Sequence, residues 1–191
     1  QSDQTALRGL SGDLDVLEFD VADEGAVNRA GRTFQQKLDI IVNNAGIIGP
    51  ERQATTDMDY DGFARTLAVN TLGPLIVTNA FLPNLRQSKA GKLVTISSQM
   101  GMMTSTSSDR IAYRASKSAV NKVMQGLATD LRAANIAVLT LHPGWVRSDM
   151  GGSSADISTQ ESAAGILQRI NELSIETTGQ FLNYAGETMA W

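Results

Sequence analysis

The feature that most constrains this chain is the alternation of short apolar runs with longer segments of helical periodicity. Apolar runs predict strands at 16–19, 38–42, 93–96, 136–141 and 180–182. Helical patterns occupy 23–36, 57–87, 110–134 and 160–173. Strands that alternate with helices in this way form a parallel sheet with helices on both faces. The sequence therefore predicts an α/β fold with a doubly wound parallel sheet in three layers, αβα.

Local signals divide the longest helical pattern and the segment after the fourth strand. Asp57 or Asp59 is the expected N-terminal cap of the long pattern, because a short carboxylate accepts hydrogen bonds from the first helical turn. Pro74 lies inside the pattern and predicts a kink or a break, since proline removes a backbone donor. Residues 144–159 are rich in Gly and Ser and predict a loop.

Composition restricts the classes of protein to which the chain can belong. Its 191 residues, 42% of them hydrophobic, suit a single globular domain over 1–191. The net charge of −4 disfavours nucleic acid as a partner, and no apolar stretch approaches the length of a membrane span. Cys is absent and His occurs once, which excludes disulfides, thiol catalysis and zinc sites built from Cys and His. We expect a cytoplasmic protein without a metal.

Polar clusters follow the predicted strands at the point where each one ends. They are Asp20, Asn43-Asn44, Ser97-Ser98 and His142-Pro143-Gly144. In doubly wound sheets, ligands bind at the carboxyl ends of the strands. The sequence therefore predicts a binding site at this edge of the sheet.

Tyr113 and Lys117 are four residues apart on a predicted helix and therefore project from one face. A cation near a phenol favours phenolate and lowers the pKa of the tyrosine, so such a pair can act as a general acid or base. Taken alone the pair is a weak signal, because exposed pairs at this spacing are common on helices.

The order of the motifs carries more information than any one of them. Along the chain they are Asn43-Asn44-Ala45-Gly46, Val69-Asn70, Ile96-Ser97-Ser98, Tyr113-x-x-x-Lys117 and Pro143-Gly144. In this order, from about residue 15 to 191, the chain resembles the classical short-chain dehydrogenases/reductases, which have a Rossmann-like fold. The string from His142 to Gly152, and the tail 179–187 followed by Trp191, are similar to the C-factor-type branch of that family.

The resemblance implies a role for each catalytic position. Tyr113 would be the general acid or base that exchanges a proton with the substrate oxygen. Lys117 would lower the pKa of Tyr113 and hold the ribose hydroxyls of the nicotinamide. Ser98, preferred to Ser97 by the register of the motif, would orient the substrate carbonyl. Asn70 would hold a water that links Lys117 to solvent.

The resemblance also implies NAD or NADP as the cofactor, with the choice between them left open. Asp20 and Val21 resemble the acidic and apolar pair that contacts adenine. Asn43, Ala45 and Gly46 would line the adenosine side and stabilise the central strand. These five residues would form the adenine end of the cofactor site.

The predicted loop after the fourth strand would form the nicotinamide end. The residues that would hold the carboxamide are Pro143, Gly144, Val146 and Ser148. Trp145 and Met150 would belong to a lid over the substrate, which favours a small hydrophobic carbonyl compound or alcohol.

A homo-oligomer, dimer or tetramer, is a further expectation from the family. Val120, Val123 and Leu127 are the apolar outer positions of the predicted helix that carries Tyr113. These positions either pair with a second subunit or pack on the sheet, and core packing is the simpler interpretation.

One family motif is missing from the sequence. The glycine-rich turn TGxxxGxG, whose backbone amides approach the pyrophosphate, is not found; Gly9 and Gly12 have the wrong spacing and follow no apolar strand. The strand at 16–19 corresponds to the third strand of the family, because it ends in Asp20-Val21. We therefore expect an N-terminally truncated fold without its first β-α-β unit, with an apolar sheet edge exposed.

Two functions from different classes follow from these patterns. The first is an NAD(P)-dependent oxidoreductase that interconverts a carbonyl and an alcohol by hydride transfer, with Tyr113 as general acid or base. The alternative is a non-enzymatic C-factor-type signalling or interaction protein that uses the fold as a binding surface. A hydrolase built on Ser98 and His142 is disfavoured, because no G-x-S-x-G motif surrounds any Ser.

Overall fold

A computed structural model of the protein describes residues 12–191. Gly9 lies outside the described residues. The helices are α1 (Glu24–Thr33), α2 (Tyr60–Leu67), α3 (Gly73–Leu85), α4 (Ile111–Leu131) and α5 (Thr159–Glu172). The strands are β1 (Ile40–Asn43), β2 (Gln53–Ala54), β3 (Asp57–Met58), β4 (Gly91–Ile96), β5 (Ile136–His142) and β6 (Gln180–Asn183).

The main sheet has four parallel strands in the order β1-β4-β5-β6. Every residue of β5 is buried, as expected for a central strand covered on both faces. Strands β2 and β3 form a separate antiparallel hairpin before α2. The predicted α/β fold with a parallel sheet is confirmed. That the domain covers 1–191 and lacks a first β-α-β unit stays a prediction.

Apolar side chains fill both faces of the sheet. The larger cluster joins α1, α3 and α4 to the sheet, and the smaller one joins α5 to the opposite face of β4 and β5. Val120 and Leu127 belong to the larger cluster, and Val123 packs against it. These apolar positions of α4 therefore pack on the sheet, which agrees with the simpler of the two interpretations. A homo-oligomer stays a prediction.

The strand predicted at 16–19 is wrong. Residues 13–20 have no regular secondary structure and are not part of a strand. A strand needs a neighbour for its backbone groups, and β1, β4, β5 and β6 pair only with one another. Side chains hold this segment instead: the Phe19 ring stacks on Phe81 at 6.3 Å, and the Asp20 carboxylate forms a salt bridge with Arg65.

The expected exposure of apolar residues at the sheet edge is present. Strand β1 is an outer strand of the described sheet, and Ile40 and Val42 are 43% and 44% exposed. Their neighbours Ile41 and Asn43 point to the opposite face and are buried. The α5 face of the sheet is therefore uncovered at β1, although it is covered at β4 and β5.

The long helical pattern is one continuous helical segment with a wider turn inside it. Asp59 is the N-cap of α2 and accepts a hydrogen bond from Gly62 N at 2.9 Å. A π-helical turn, Ala68–Leu72, joins α2 to α3, and Pro74 follows it in the first turn of α3. The interruption predicted from Pro74 is thus a π-helical turn, and such turns often occur at functional sites.

By length and composition alone, the 26-residue helical segment Tyr60–Leu85 could cross a membrane. Its polar side chains indicate a different role. Asn70 and Asn84 are buried and donate hydrogen bonds to the backbone of Ile47 and Phe34. Such contacts with the rest of the domain are typical of a core helix in an α/β fold.

Gly31 brings α1 and α3 into close contact, and we expect Gly31→Ala to lower the free energy of unfolding by about 1–3 kcal/mol. A Cβ atom at Gly31 would lie 2.6 Å from the carbonyl oxygen of Ala80, so the two helices would have to separate. Gly126 in α4 is the matched control, because a Cβ there has no neighbour within 4 Å. Gly126→Ala should stabilise by up to about 1 kcal/mol. Urea unfolding followed by circular dichroism measures both, and equal stability of the two variants would contradict this packing.

Candidate active site

A cavity of about 370 Å³ and a larger one of about 520 Å³ open at the carboxyl ends of the main strands. We call the larger one the catalytic cavity. The predicted site residues that line it are Ser98, Tyr113, Pro143, Gly144, Val146 and Ser148. Three separate segments of the chain, after β4, in α4 and after β5, therefore meet in one place, as the strand-end argument predicts.

Tyr113 lies in the first turn of α4 and is 8% exposed. Its backbone N donates a hydrogen bond to Gln53 Oε1 at 3.2 Å. Burial raises the pKa of the Tyr113 phenol, while a side-chain hydrogen bond with Ser98 and the charge of Arg110 act in the opposite direction. The phenol is therefore protonated at neutral pH and can donate its proton to a substrate oxygen.

Lys117 lies one turn further along α4 and is 5% exposed. Its Nζ donates a hydrogen bond to Ile96 O at 2.9 Å and lies 5.6 Å from the centroid of the Tyr113 ring. Burial lowers the pKa of Lys117 to about 8. The sequence predicted that Lys117 lowers the pKa of Tyr113, but the net direction at Tyr113 is upward. Desolvation of the phenol outweighs the charges around it.

The two serines after β4 have different surroundings. The Ser98 hydroxyl accepts a hydrogen bond from Met100 N at 3.1 Å and caps a short turn, and it also interacts with the Tyr113 phenol. The Ser97 hydroxyl donates to Asn121 Oδ1 at 2.5 Å inside the domain. Ser98 is thus the serine beside the phenol, which agrees with its choice over Ser97.

Asn70 lies in the π-helical turn and is 1% exposed. Its Oδ1 accepts a hydrogen bond from Ile47 N, and its Nδ2 donates to Ile47 O and Ser116 Oγ, all at 2.8–2.9 Å. The side chain therefore ties the segment after β1 to α4 and fixes the helix that carries Tyr113 and Lys117. That Asn70 also holds a water beside Lys117 stays a prediction.

Asn43, at the end of β1, ties that strand to α3 and β4. Its Nδ2 lies 3.2–3.4 Å from acceptors on Pro74, Thr78 and Thr95, which belong to α3 and β4. Asn43 therefore fixes β1, an outer strand of the described sheet, and its role in stabilising the central strand stays a prediction. Its contact with adenosine, and that of Ala45, stay predictions.

Gly46 lies between Asn70 and Lys117. A Cβ atom at Gly46 would lie 3.4 Å from Asn70 Oδ1 and 3.7 Å from Lys117 Nζ. The backbone of the segment after β1 therefore approaches the buried ammonium closely without a side chain between them.

Asp20 and Val21 lie away from the catalytic cavity. The Asp20 carboxylate accepts hydrogen bonds from Ala22 N and Arg65, and these two contacts hold its pKa below the usual range. Val21 packs against the start of α3, where a Cβ at Gly73 would lie 3.0 Å from Val21 Cγ2. Their contact with adenine stays a prediction.

The loop after β5 is held in shape by its own hydrogen bonds. Gly144 has φ +86, and a Cβ there would lie 2.4 Å from Ile157 Cδ1, so only glycine fits this turn. Trp145 Nε1 donates to Gly151 O, and the Arg147 guanidinium donates to Ala155 O. The loop therefore forms one wall of the catalytic cavity, and its action as a lid over the substrate stays a prediction.

Sequence reasoning missed two residues that contact Tyr113. Gln53 accepts a hydrogen bond from the backbone of Tyr113 across 60 positions of sequence, and no local motif marks it. Arg110 has φ 51 in the left-handed region and precedes α4 directly, so its charge lies beside the phenol. Arg110 lies about one helix turn before Tyr113, so its position in the sequence could have indicated that it is near the phenol. Its left-handed conformation could not have been predicted in this way.

The geometry of the site also bears on two other kinds of enzyme, a metal-dependent enzyme and a Ser-His-Asp hydrolase. Among residues 12–191 there is no group of three or more His, Asp and Glu side chains that could hold a metal ion. The Nδ1 atom of His142 is buried and has no hydrogen-bond partner in this part of the chain, so no carboxylate orients the ring. The arrangement that a Ser-His-Asp hydrolase needs is absent from the described residues.

A parallel α/β sheet with a tyrosine, a lysine and a serine at its carboxyl edge defines a dehydrogenase-like class of protein. The sequence profile described as short chain dehydrogenase matches residues 3–158, and the chain belongs to that family.

Similar proteins agree with this assignment. The chain is 41% identical over 155 residues to the C-signal of Myxococcus xanthus, covering 81% of this chain and 93% of that protein. The NADPH-bound carbonyl reductase from chicken fatty liver superposes with a TM-score of 0.85 at 29% identity, covering 93% of this chain and 77% of that one. The carbonyl reductase Sniffer of D. melanogaster superposes with a TM-score of 0.84 at 33% identity, covering 92% and 77%.

Proposed function

We propose that this protein reduces a carbonyl compound to an alcohol, and catalyses the reverse reaction, with Tyr113 as the general acid or base. This chain is a member of the short-chain dehydrogenase family. Members of that family are NAD(P)-dependent oxidoreductases. The observation that carries the finer proposal is the meeting of Tyr113 and Ser98 with the loop 143–148 in a single cavity. The two solved structures with the TM-scores given above are named carbonyl reductases, which supports the substrate class.

The residues around Lys117 fit the nicotinamide end of NAD or NADP. An ammonium has three donors, and among residues 12–191 that of Lys117 donates one hydrogen bond, to Ile96 O, although it is buried. Ribose hydroxyls would satisfy the remaining donors, and the bare backbone at Gly46 leaves room beside them. Pro143, Gly144, Val146 and Ser148 would hold the carboxamide, while Asp20, Val21, Asn43 and Ala45 would serve the adenine end.

In carbonyl reduction, NADH or NADPH, when bound, would supply the hydride that the carbonyl carbon accepts. The electron pair of the C=O π bond moves to the oxygen, and Tyr113 donates its proton there to form the alcohol. Ser98 donates a hydrogen bond to the same oxygen and orients the carbonyl. Lys117 then stabilises the phenolate that remains, because its ammonium lies on the same face of α4.

The partner that this site accepts is a small molecule. The catalytic cavity has a mixed lining, whose apolar residues include Ile48, Met100 and Val146. That nucleic acid is not a partner of this protein stays a prediction, and so does its cytoplasmic location. The alternative of a non-enzymatic interaction protein is not favoured, because an interaction surface has no need for a buried lysine beside a buried tyrosine.

Titration of the purified chain with NADH and NADPH tests the proposal. We expect binding of at least one of them in about the micromolar range, with a change in cofactor fluorescence and a higher melting temperature. Addition of a ketone should then cause oxidation of the bound cofactor. A well-folded chain that binds neither cofactor would contradict the proposal and support the interaction protein.

A further inference from the structure

His142 lies where two cavities meet. It lines the catalytic cavity, and it also lines the cavity of about 370 Å³, which we call the second cavity. The two cavities share Gln99, His142, Gly144 and Trp145. A substrate whose carbonyl lies at Tyr113 can therefore extend past His142 into the second cavity. The role of this histidine is not explained by the catalytic arrangement described above.

The environment of His142 determines which ring nitrogen carries the proton. The residue is 8% exposed, and its Nδ1 is buried without a hydrogen-bond partner among residues 12–191. An unpaired buried N–H is rarer in proteins than an unpaired acceptor. The proton therefore belongs on Nε2, and Nδ1 is the acceptor.

Asn121, which is hydrogen-bonded to Ser97, also has an unpaired group. Its Nδ2 is also buried without a partner in the described part of the chain, while its Oδ1 accepts the hydrogen bond from Ser97. Ser97 and His142 follow the paired residues Ile96 and Leu141 of neighbouring strands, so their side chains lie next to each other on the same face. The unpaired groups of this cluster are thus an amide donor on Asn121 and, with the proton on Nε2, an acceptor on His142.

Burial also keeps the ring uncharged. It lowers the pKa of His142 to about 4, so the imidazole is neutral at physiological pH. The Nε2–H group is then a neutral hydrogen-bond donor. Such a donor at the wall of a substrate cavity binds an oxygen acceptor.

The second cavity selects the kind of oxygen. Its lining includes the acidic residues Asp156 and Glu187 and, in the described part of the chain, no lysine or arginine; the Glu187 carboxylate also accepts a hydrogen bond from Asn183 Nδ2 at 2.6 Å. Carboxylates repel an anionic oxygen and accept hydrogen bonds from a donor. A hydroxyl group satisfies both sides, because its oxygen accepts from Nε2–H while its proton is donated to a carboxylate.

We propose that His142 is a specificity-determining residue that binds a hydroxyl group of the substrate, so that the preferred substrates are neutral hydroxylated carbonyl compounds. The proposal rests on the proposed function, because it places the reacting carbonyl of the same substrate at Tyr113. It adds a second point of recognition, between the catalytic cavity and the second cavity.

Three ketones of nearly equal size test this proposal. They are phenacyl alcohol, which carries the hydroxyl, propiophenone, which has a methyl group in its place, and phenylglyoxylate, which carries a carboxylate. We expect kcat/KM for phenacyl alcohol to exceed that for propiophenone by about two- to tenfold, the effect of one neutral hydrogen bond. The Arg110 charge beside Tyr113 attracts the carboxylate of phenylglyoxylate and the acidic residues of the second cavity repel it, so its kcat/KM measures the balance of these two effects and does not bear on His142.

Two variants of His142 separate recognition from general damage. In His142→Leu the ratio between phenacyl alcohol and propiophenone should fall to about one, and any loss common to both ketones cancels in the ratio. In His142→Gln the ratio should stay above one, because the glutamine amide can donate from the position of Nε2. Binding of the two ketones to Tyr113→Phe, with and without His142→Leu, gives the same comparison by calorimetry without turnover.

The outcomes distinguish the two proposals. If the protein reduces propiophenone but shows no preference for phenacyl alcohol, or keeps that preference in His142→Leu, the role of His142 is wrong and the reductase function stands. If neither ketone is bound or reduced and no other carbonyl compound is reduced, the proposed function fails and this inference fails with it.

Discussion

Tyr113→Phe is expected to lower kcat/KM for carbonyl reduction by about 10²–10⁴-fold, the usual contribution of a positioned general acid. The Tyr113 phenol lines the catalytic cavity, and burial keeps it protonated. The hydroxyl of Ser98 also contacts it. Phenylalanine keeps the ring and its packing in the first turn of α4. The cofactor dissociation constant should therefore stay close to that of the unchanged protein.

Steady-state kinetics with one ketone, together with cofactor titration, measures this effect. Tyr60→Phe is the matched control, because Tyr60 is 78% exposed at the start of α2 and lines neither cavity at the strand ends. Its kinetics should match those of the unchanged protein. Full activity of Tyr113→Phe would remove tyrosine from the mechanism and leave the proton donor unassigned.

Lys117→Met is expected to have two opposite effects, a loss of activity of about 10²–10³-fold and a gain in stability at neutral pH. Activity falls because the buried ammonium that stabilises the Tyr113 phenolate and holds the ribose is lost. Stability rises because methionine has no charge to bury, whereas the ammonium has a single hydrogen bond, to Ile96 O, within residues 12–191. We expect the free energy of unfolding at neutral pH to increase by about 1–3 kcal/mol.

The pH dependence of stability has a definite sign. The pKa of Lys117 is lowered to about 8 from 10.5, so between these values the unfolded chain binds more protons than the folded one. Stability of the unchanged protein therefore rises as pH increases from 8 toward 10.5 and is lowest below 8. The advantage of Lys117→Met should shrink across the same interval.

Urea unfolding at a series of pH values tests this dependence, with Lys122→Met as the control. Lys122 lies on the exposed side of the same helix and contacts only Gln125 among the residues described. Its substitution should not change the slope of stability with pH. A Lys117→Met variant that is less stable than the unchanged protein at neutral pH would show that the ammonium is better satisfied than these contacts indicate.

Local sequence patterns were sufficient for most of the secondary structure. The helical pattern at 110–134 corresponds to α4, and the apolar run at 136–141 corresponds to β5, with ends within a few residues. The cap at Asp59 and the interruption near Pro74 were also predicted. These features depend on side-chain periodicity and on hydrogen bonds over a few residues, so they can be read without knowing the fold.

Contacts between distant segments were beyond the reach of such patterns. The apolar run at 16–19 has strand composition, but no described strand of the main sheet lies beside it. The direction of the pKa of Tyr113 is set by how deeply α4 packs, which the spacing to Lys117 does not reveal. The hydrogen bond from the backbone N of Tyr113 to Gln53 joins two residues that are 60 positions apart in the sequence.

The amino-acid sequence by itself determined the parallel α/β architecture and the order in which Asn70, Ser98, Tyr113 and Lys117 occur, because alternating periodicities and strand-end motifs are local. Tertiary structure alone decided that burial raises the pKa of Tyr113 more than the nearby charges lower it. It also decided that the side chain of Asn70 is hydrogen-bonded to Ile47 and Ser116. It also decided that His142, whose Nδ1 has no partner among residues 12–191, lines both cavities. Desolvation and hydrogen-bond partnership depend on which segments pack together, and that is a property of the folded chain as a whole.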